Sequence, residues 1–259
     1  MLRLIALLAL LAAPLAAHAQ IPLLHPSPQF NVVGPGIARG VVVWLHGSYD
    51  RAERPTPPPA QPWVGRMAAL GYDIWRLDRA PGHDKLEASA AALLQGVKTL
   101  RQRGYRRVVV AGHSRGGFIA LWALAHPKLV EAVAAISPAA HGTDPKRHAA
   151  AIAAFAARMK AIPRQHSHPT RLAFVTLRDD PLEPGAAKRI ALARQAARHT
   201  GLKLLVIDRP PAPQGHMGGY DPAFDDSFGA CLAGFLDGSN EPCPGGLFGP
   251  RGGRAGDMR

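Results

Sequence analysis

Val108-Val109-Val110-Ala111-Gly112-His113-Ser114-Arg115-Gly116-Gly117 decides the reading of this chain. Four consecutive apolar residues ending in glycine read as a buried strand. The run after Ser114, FIALWALA, reads as a helix stopped by Pro127. A serine held between a buried strand and a helix sits at the carboxyl edge of an open α/β sheet, where such folds place their sites. The pattern Gly112-His113-Ser114-Arg115-Gly116 gives the turn its physical logic. Side chains two before and two after the serine would collide with neighbouring backbone, so both positions hold glycine. Gly117 lets the helix approach the strand. Ser114 is then a strained residue with an exposed hydroxyl, and the Arg115 N–H faces the same space at a helix N-terminus that favours negative charge.

Outward from this turn, apolar strands alternate with helical patterns. GVVVWL and YDIWRLD precede it, separated by the Pro-rich loop Arg54–Pro62 and a short helix from Trp63 to Gly71. DKLEASAAALLQGVKTLRQRG leads into it as a helix ending at Gly104. VEAVAAIS, RLAFVTL and LKLLVID follow as strands, with Ala-rich helical stretches between them. A last short helix is expected from about Asp225, and the Gly/Pro-rich tail 238–259 is expected to be irregular. Continuous apolar strands separated by helices predict an α/β fold, a mostly parallel sheet of about six or more strands with helices on both faces. Residues 20–237 fit one domain, with residues 138–170 a short cap-like insertion.

The run GHSRGG resembles the nucleophile elbow of the α/β-hydrolase superfamily, and the resemblance covers roughly Gly40 to Leu236. It implies a Ser-Asp-His order, with the acid after the fifth strand and the histidine after the sixth. Asp180, in Asp180-Pro181-Leu182-Glu183-Pro184, occupies the acid's place; Asp179 is the first alternative and Glu183 the second. His216, on the glycine-bearing loop before the last helix, occupies the base's place. The resemblance further implies an oxyanion hole from the backbone N–H groups of Ser48 and Arg115, with His46 organising the loop and Tyr49 lining a pocket. The implied chemistry is hydrolysis of a small-molecule carboxylic ester through an acyl-enzyme. Amide or thioester cleavage, acyl transfer and a non-catalytic binding role on the same fold are the alternatives. No cofactor or metal is expected: there is no dinucleotide fingerprint, and GHSRGG lacks the lysine of a phosphate loop. His166-Ser167-His168 offers only two metal ligands.

The ends of the chain bound where it works. MLRLIALLALLAAPLAAHA has a positive residue, a short apolar core and a small-x-small end, which predicts a signal peptide over residues 1–19 and export to the periplasm or beyond. Its apolar run is shorter than a membrane span requires, and no later segment is long and apolar enough. Cys231 and Cys243, a close pair in an exported chain, are expected to form a disulfide. Apolar residues make up 47% of the sequence, which excludes a disordered chain. Net charge is +13. It favours anionic partners in general, but the cations are scattered, with no signature for specific nucleic-acid binding. Lys146, Arg147, Arg158, Lys160 and Arg164 make the insertion basic, which leaves an anionic substrate open beside a solvated helix face.

Overall fold

The architecture comes from a computed structural model that describes residues 23–53, 56–81, 84–165, 167–239, 243–244 and 246–248. The expected signal peptide 1–19, His166 and most of the C-terminal tail lie outside the described residues. Strands are β1 (Leu23–Pro26), β2 (Gly40–Leu45), β3 (Tyr72–Asp78), β4 (Val108–His113), β5 (Ala132–Ile136), β6 (Arg171–Thr176), β7 (Lys203–Asp208) and β8 (Gly246–Phe248). They form one eight-stranded sheet in the order β1-β3-β2-β4-β5-β6-β7-β8. The six inner strands run parallel, and β1 and β8 close the two edges antiparallel.

Alternation along the apolar strands divides the core. In β2, Val41, Val43 and Leu45 face one layer, while Val42 and Trp44 face the other. The first layer holds α2 (Leu86–Gln102), α3 (Arg115–Ala120), α4 (His148–Lys160) and α5 (Ala186–Thr200), contributing Leu93, Phe118, Phe155 and Ile190. The second holds α1 (Val64–Ala69), α6 (Pro222–Phe224) and α7 (Ala230–Asp237), contributing Met67, Phe224 and Phe235. Both faces of the parallel sheet are thereby covered, so these strands carry apolar residues without the polar alternation of a one-sided sheet. The α/β-hydrolase fold expected from the sequence is the fold observed.

Three elements differ from expectation. The last helical segment starts at Pro222, not near Asp225, because Asp221 caps it by accepting a hydrogen bond from the Ala223 N–H at 2.9 Å, with Pro222 at the first position. It then runs through a π-helical turn, Asp225–Gly229, before α7. The tail expected to be irregular contributes β8, which pairs with β7 from Leu205–Phe248 to Ile207–Gly246. The Pro-rich stretch ahead of β2, which reads as extended or irregular in sequence, is extended at β1 and pairs with β3. In the insertion, α4 is a layer helix: Ala151, Phe155 and Met159 are buried in the core beside α5. Arg158 lies over the Trp122 ring at 4.3 Å, so part of the insertion's basic charge packs on an aromatic face.

Candidate active site

The site stands where strand order reverses, at the carboxyl ends of β2 and β4. Ser114 is the residue between β4 and α3, with φ 54° and ψ −124°, a backbone conformation that L side chains rarely adopt. Close packing sustains it. A Cβ on Gly112 would lie 2.5 Å from the Gly116 carbonyl carbon, and one on Gly116 would lie 2.2 Å from the Leu45 oxygen. The elbow is pinned by hydrogen bonds from the Ser114 N–H to the Ile136 oxygen (3.0 Å) and from the Ala139 N–H to the Ser114 oxygen (3.1 Å). Arg115 is the first residue of α3, so its N–H has no acceptor one turn back in the helix.

Asp180 and His216 come together from the loops after β6 and β7. His216 Nδ1 lies 2.8 Å from Asp180 Oδ2 and 3.0 Å from Oδ1. The Asp180 side chain is 1% exposed and that of His216 13%. The Leu182 N–H donates to Asp180 Oδ1 at 2.9 Å, which fixes the carboxylate in its loop. His216 Nε2 is buried and has no hydrogen-bond partner among the described residues, so the Ser114 hydroxyl does not bond it in this state. Such contacts often tighten only when substrate is bound. Asp179 is exposed with φ 56°, and Glu183 is buried against Arg189, with its Oε1 3.7 Å from Nη1. Of the three acids, Asp180 alone faces His216.

His113, the elbow neighbour, ties the two halves of the site. Its Nε2 donates to the His216 carbonyl at 2.8 Å, and the two rings stand 4.8 Å apart. Burial, helped by repulsion from His216, lowers its pKa to about 4. It is therefore a neutral donor at physiological pH.

The loop after β2 closes the other side. Gly47 lies so near the elbow that a Cβ on it would stand 3.1 Å from Ser114 Cβ. His46 Nε2 accepts a hydrogen bond from the Arg79 N–H at 3.0 Å. Its proton therefore sits on Nδ1, which donates to the Gly47 oxygen at 2.6 Å. Burial first, and then the Arg79 charge, lower the His46 pKa to about 4. The neutral ring thus braces the loop that carries Ser48. The Tyr49 ring packs edge-on against His46 at 5.3 Å, and Ser48 and Tyr49 line a cavity of about 300 Å³ together with Arg79, Asp84 and Arg115.

Sequence reasoning missed Arg79 and Asp84. Arg79 directly follows β3, the strand beside β2, and its position at the carboxyl edge of the sheet was the available signal. It also missed the ion pair between Glu183 and Arg189, both fully buried behind Asp180. Among the described residues, no group of three or more His, Cys, Asp or Glu side chains is placed to hold a metal ion. No described helix is long and apolar enough to cross a membrane.

A mostly parallel sheet carrying a strained serine elbow, with a histidine–carboxylate pair on later loops, defines an α/β-type hydrolase scaffold. The family model of the alpha/beta hydrolase family matches residues 42–240, and the chain belongs to that family. No match appears among curated proteins. Among solved structures, it is similar to the Pyrococcus furiosus esterase Pf2001, at 19% identity and a TM-score of 0.54 over 77% of this chain and 81% of that one. It is also similar to Est1E from Butyrivibrio proteoclasticus, at 14% identity and a TM-score of 0.52 over 83% and 90%. The Pyrococcus horikoshii acylaminoacyl peptidase matches at 14% identity and a TM-score of 0.56, over 83% of this chain and 40% of that chain. At these identities the likeness concerns the fold.

Proposed function

We propose that the protein is an exported serine hydrolase that cleaves a small-molecule carboxylic ester through Ser114, His216 and Asp180. The observation that carries this reading is the pairing of a strained serine elbow with a histidine whose Nδ1 is held by a buried carboxylate and whose Nε2 is unpartnered.

His216 Nε2 takes the Ser114 proton as the alkoxide attacks the ester carbonyl carbon. Negative charge moves to the carbonyl oxygen, where the N–H groups of Ser48 and Arg115 receive it; one such donor is worth about 3–4 kcal/mol of barrier. Asp180 holds the imidazole in the Nδ1–H tautomer and stabilises its charged form. His216 then passes its proton to the leaving alkoxide, and the acyl group stays on Ser114. Water, deprotonated by His216, attacks the acyl-enzyme, and the same proton returns to Ser114 as the acid departs. The sequence needs no cofactor. Export to the periplasm or beyond is supported by the leader over residues 1–19 and by the Cys231–Cys243 disulfide, a bond that persists in oxidising compartments.

The test is labelling of the purified mature protein with a fluorophosphonate probe, followed by peptide mapping. Stoichiometric modification of Ser114, absent from Ser114→Ala and reduced at least a hundredfold in rate in His216→Ala, is expected. A folded wild-type protein that takes up no probe overturns the proposal.

A further inference from the structure

The cavity beside the Ser48 loop has an unusual wall. Arg79 lines it with a side chain that is 0% exposed. Its Nη2 is committed to the His46 oxygen, and its Nε lies 3.5 Å from Asp84 Oδ1. Its Nη1 donors have no hydrogen-bond partner among the described residues. A buried cationic donor left unanswered is costly, and it is the signature of a group awaiting an acceptor. Burial, opposed chiefly by Asp84, lowers the Arg79 pKa to about 10, so it remains charged at neutral pH.

The rest of the wall points the same way. Arg115 and Lys85 also line the cavity, which sets three cations against the single carboxylate of Asp84. That carboxylate is already engaged, by Arg115 Nε at 3.1 Å and by the Ser89 hydroxyl at 2.9 Å. Lys85 is exposed at the mouth. Ser48 and Arg115, whose N–H groups are assigned to the oxyanion, line the cavity, which places it beside the reacting centre, although Ser114 and His216 are not part of its wall. At about 300 Å³ it is small, at the lower end for ligand sites.

Resting on the hydrolase reading, we propose that this cavity selects the substrate class: short esters that carry a second, free carboxylate, which docks at Lys85 in the field of the buried Arg79 guanidinium while the ester carbonyl lies at Ser114. A buried, incompletely paired guanidinium favours an anion close by, and Asp84 repels a more highly charged group.

The decisive comparison is kcat/KM for monoethyl adipate against diethyl adipate, followed by acid release at constant pH. Wild type is expected to favour the half-ester by about tenfold, with the preference shrinking in 0.5 M salt. Lys85→Glu should lower the ratio of the two by roughly fivefold, and Lys85→Arg should restore it. Lys85 is solvent-facing, so neither change threatens the fold. A ratio at or below one in wild type, or one that Lys85→Glu leaves untouched, overturns the proposal while the hydrolase reading stands on Ser114 labelling. If neither ester is cleaved and Ser114 takes no label, the hydrolase reading fails by itself. Calorimetric titration with adipate then decides the cavity: binding in wild type that is weakened in Lys85→Glu upholds it, and no binding overturns it.

Discussion

At the scale of single residues, the site depends on which of several similar side chains faces inward. Asp179 and Asp180 are adjacent and chemically identical, yet Asp179 is exposed at φ 56° and Asp180 is closed around the His216 ring. Asp180→Asn should therefore lower kcat by about 10,000-fold, the cost of the wrong imidazole tautomer, with the fold retained by circular dichroism. Asp179→Asn should change kcat less than threefold in the same assay. The elbow gives a steric prediction. Gly116→Ala would drive a Cβ to 2.2 Å from the Leu45 oxygen and 2.4 Å from the His46 oxygen, both rigid backbone. Loss of soluble expression or of Ser114 labelling is expected from that one methyl group. These residues were legible in the sequence because their roles are local: a glycine two positions from a serine, or an acid just past a strand. Arg79 and the Glu183–Arg189 pair were not, because their meaning comes from partners distant in sequence. Glu183 read as a spare acid for the histidine, and only the packing of α5 shows that it turns to Arg189.

At the scale of elements, the six inner strands were legible because burial on both faces removes polar positions from the pattern, and the glycine-terminated helices between them hold ordinary helical spacing. The two edge strands were not. β1 and β8 have four and three residues, and neither carries a periodic signal; both exist because β3 and β7 offer open edges. β8 depends on covalent help. Cys243 is buried in the core layer that holds α7, and its disulfide to Cys231 closes a loop of sequence separation 12 just before β8 begins. Replacing both cysteines by serine should cost roughly 3 kcal/mol by loop-closure entropy. Chemical denaturation gives the loss directly. Hydrogen exchange should also find the β7 amides that face β8 losing protection before those that face β6. Equal protection on both sides would mean that β8 pairs without the crosslink.

At the scale of the whole molecule, two buried histidines make the fold sensitive to acid. His46 and His113 are 1% and 2% exposed, and burial holds each near pKa 4 against an ordinary value of 6.5. A depressed folded-state pKa contributes stability that is complete above pH 6.5 and is lost as pH falls through 4, because the unfolded chain takes up protons that the folded chain refuses. At about 1.4 kcal/mol per pKa unit, each histidine accounts for on the order of 3 kcal/mol across that window. Glu183 works in the opposite direction. Burial raises its pKa well above the usual carboxylate range, so the folded state gains a proton more readily than the unfolded state, and acidification favours folding through this group. Two histidines that take up protons over this window outweigh the one carboxyl that opposes them. Unfolding free energy from denaturant titrations should therefore fall steeply between pH 6.5 and 4.5. His113→Gln, which cannot titrate and whose amide nitrogen reaches about as far as the imidazole Nε2 that donates to the His216 carbonyl, should flatten that slope by at least half. Glu183→Gln should steepen it. A wild-type profile that is level over this range, or a His113→Gln profile parallel to wild type, would mean that the buried rings are not the groups that set the acid limit.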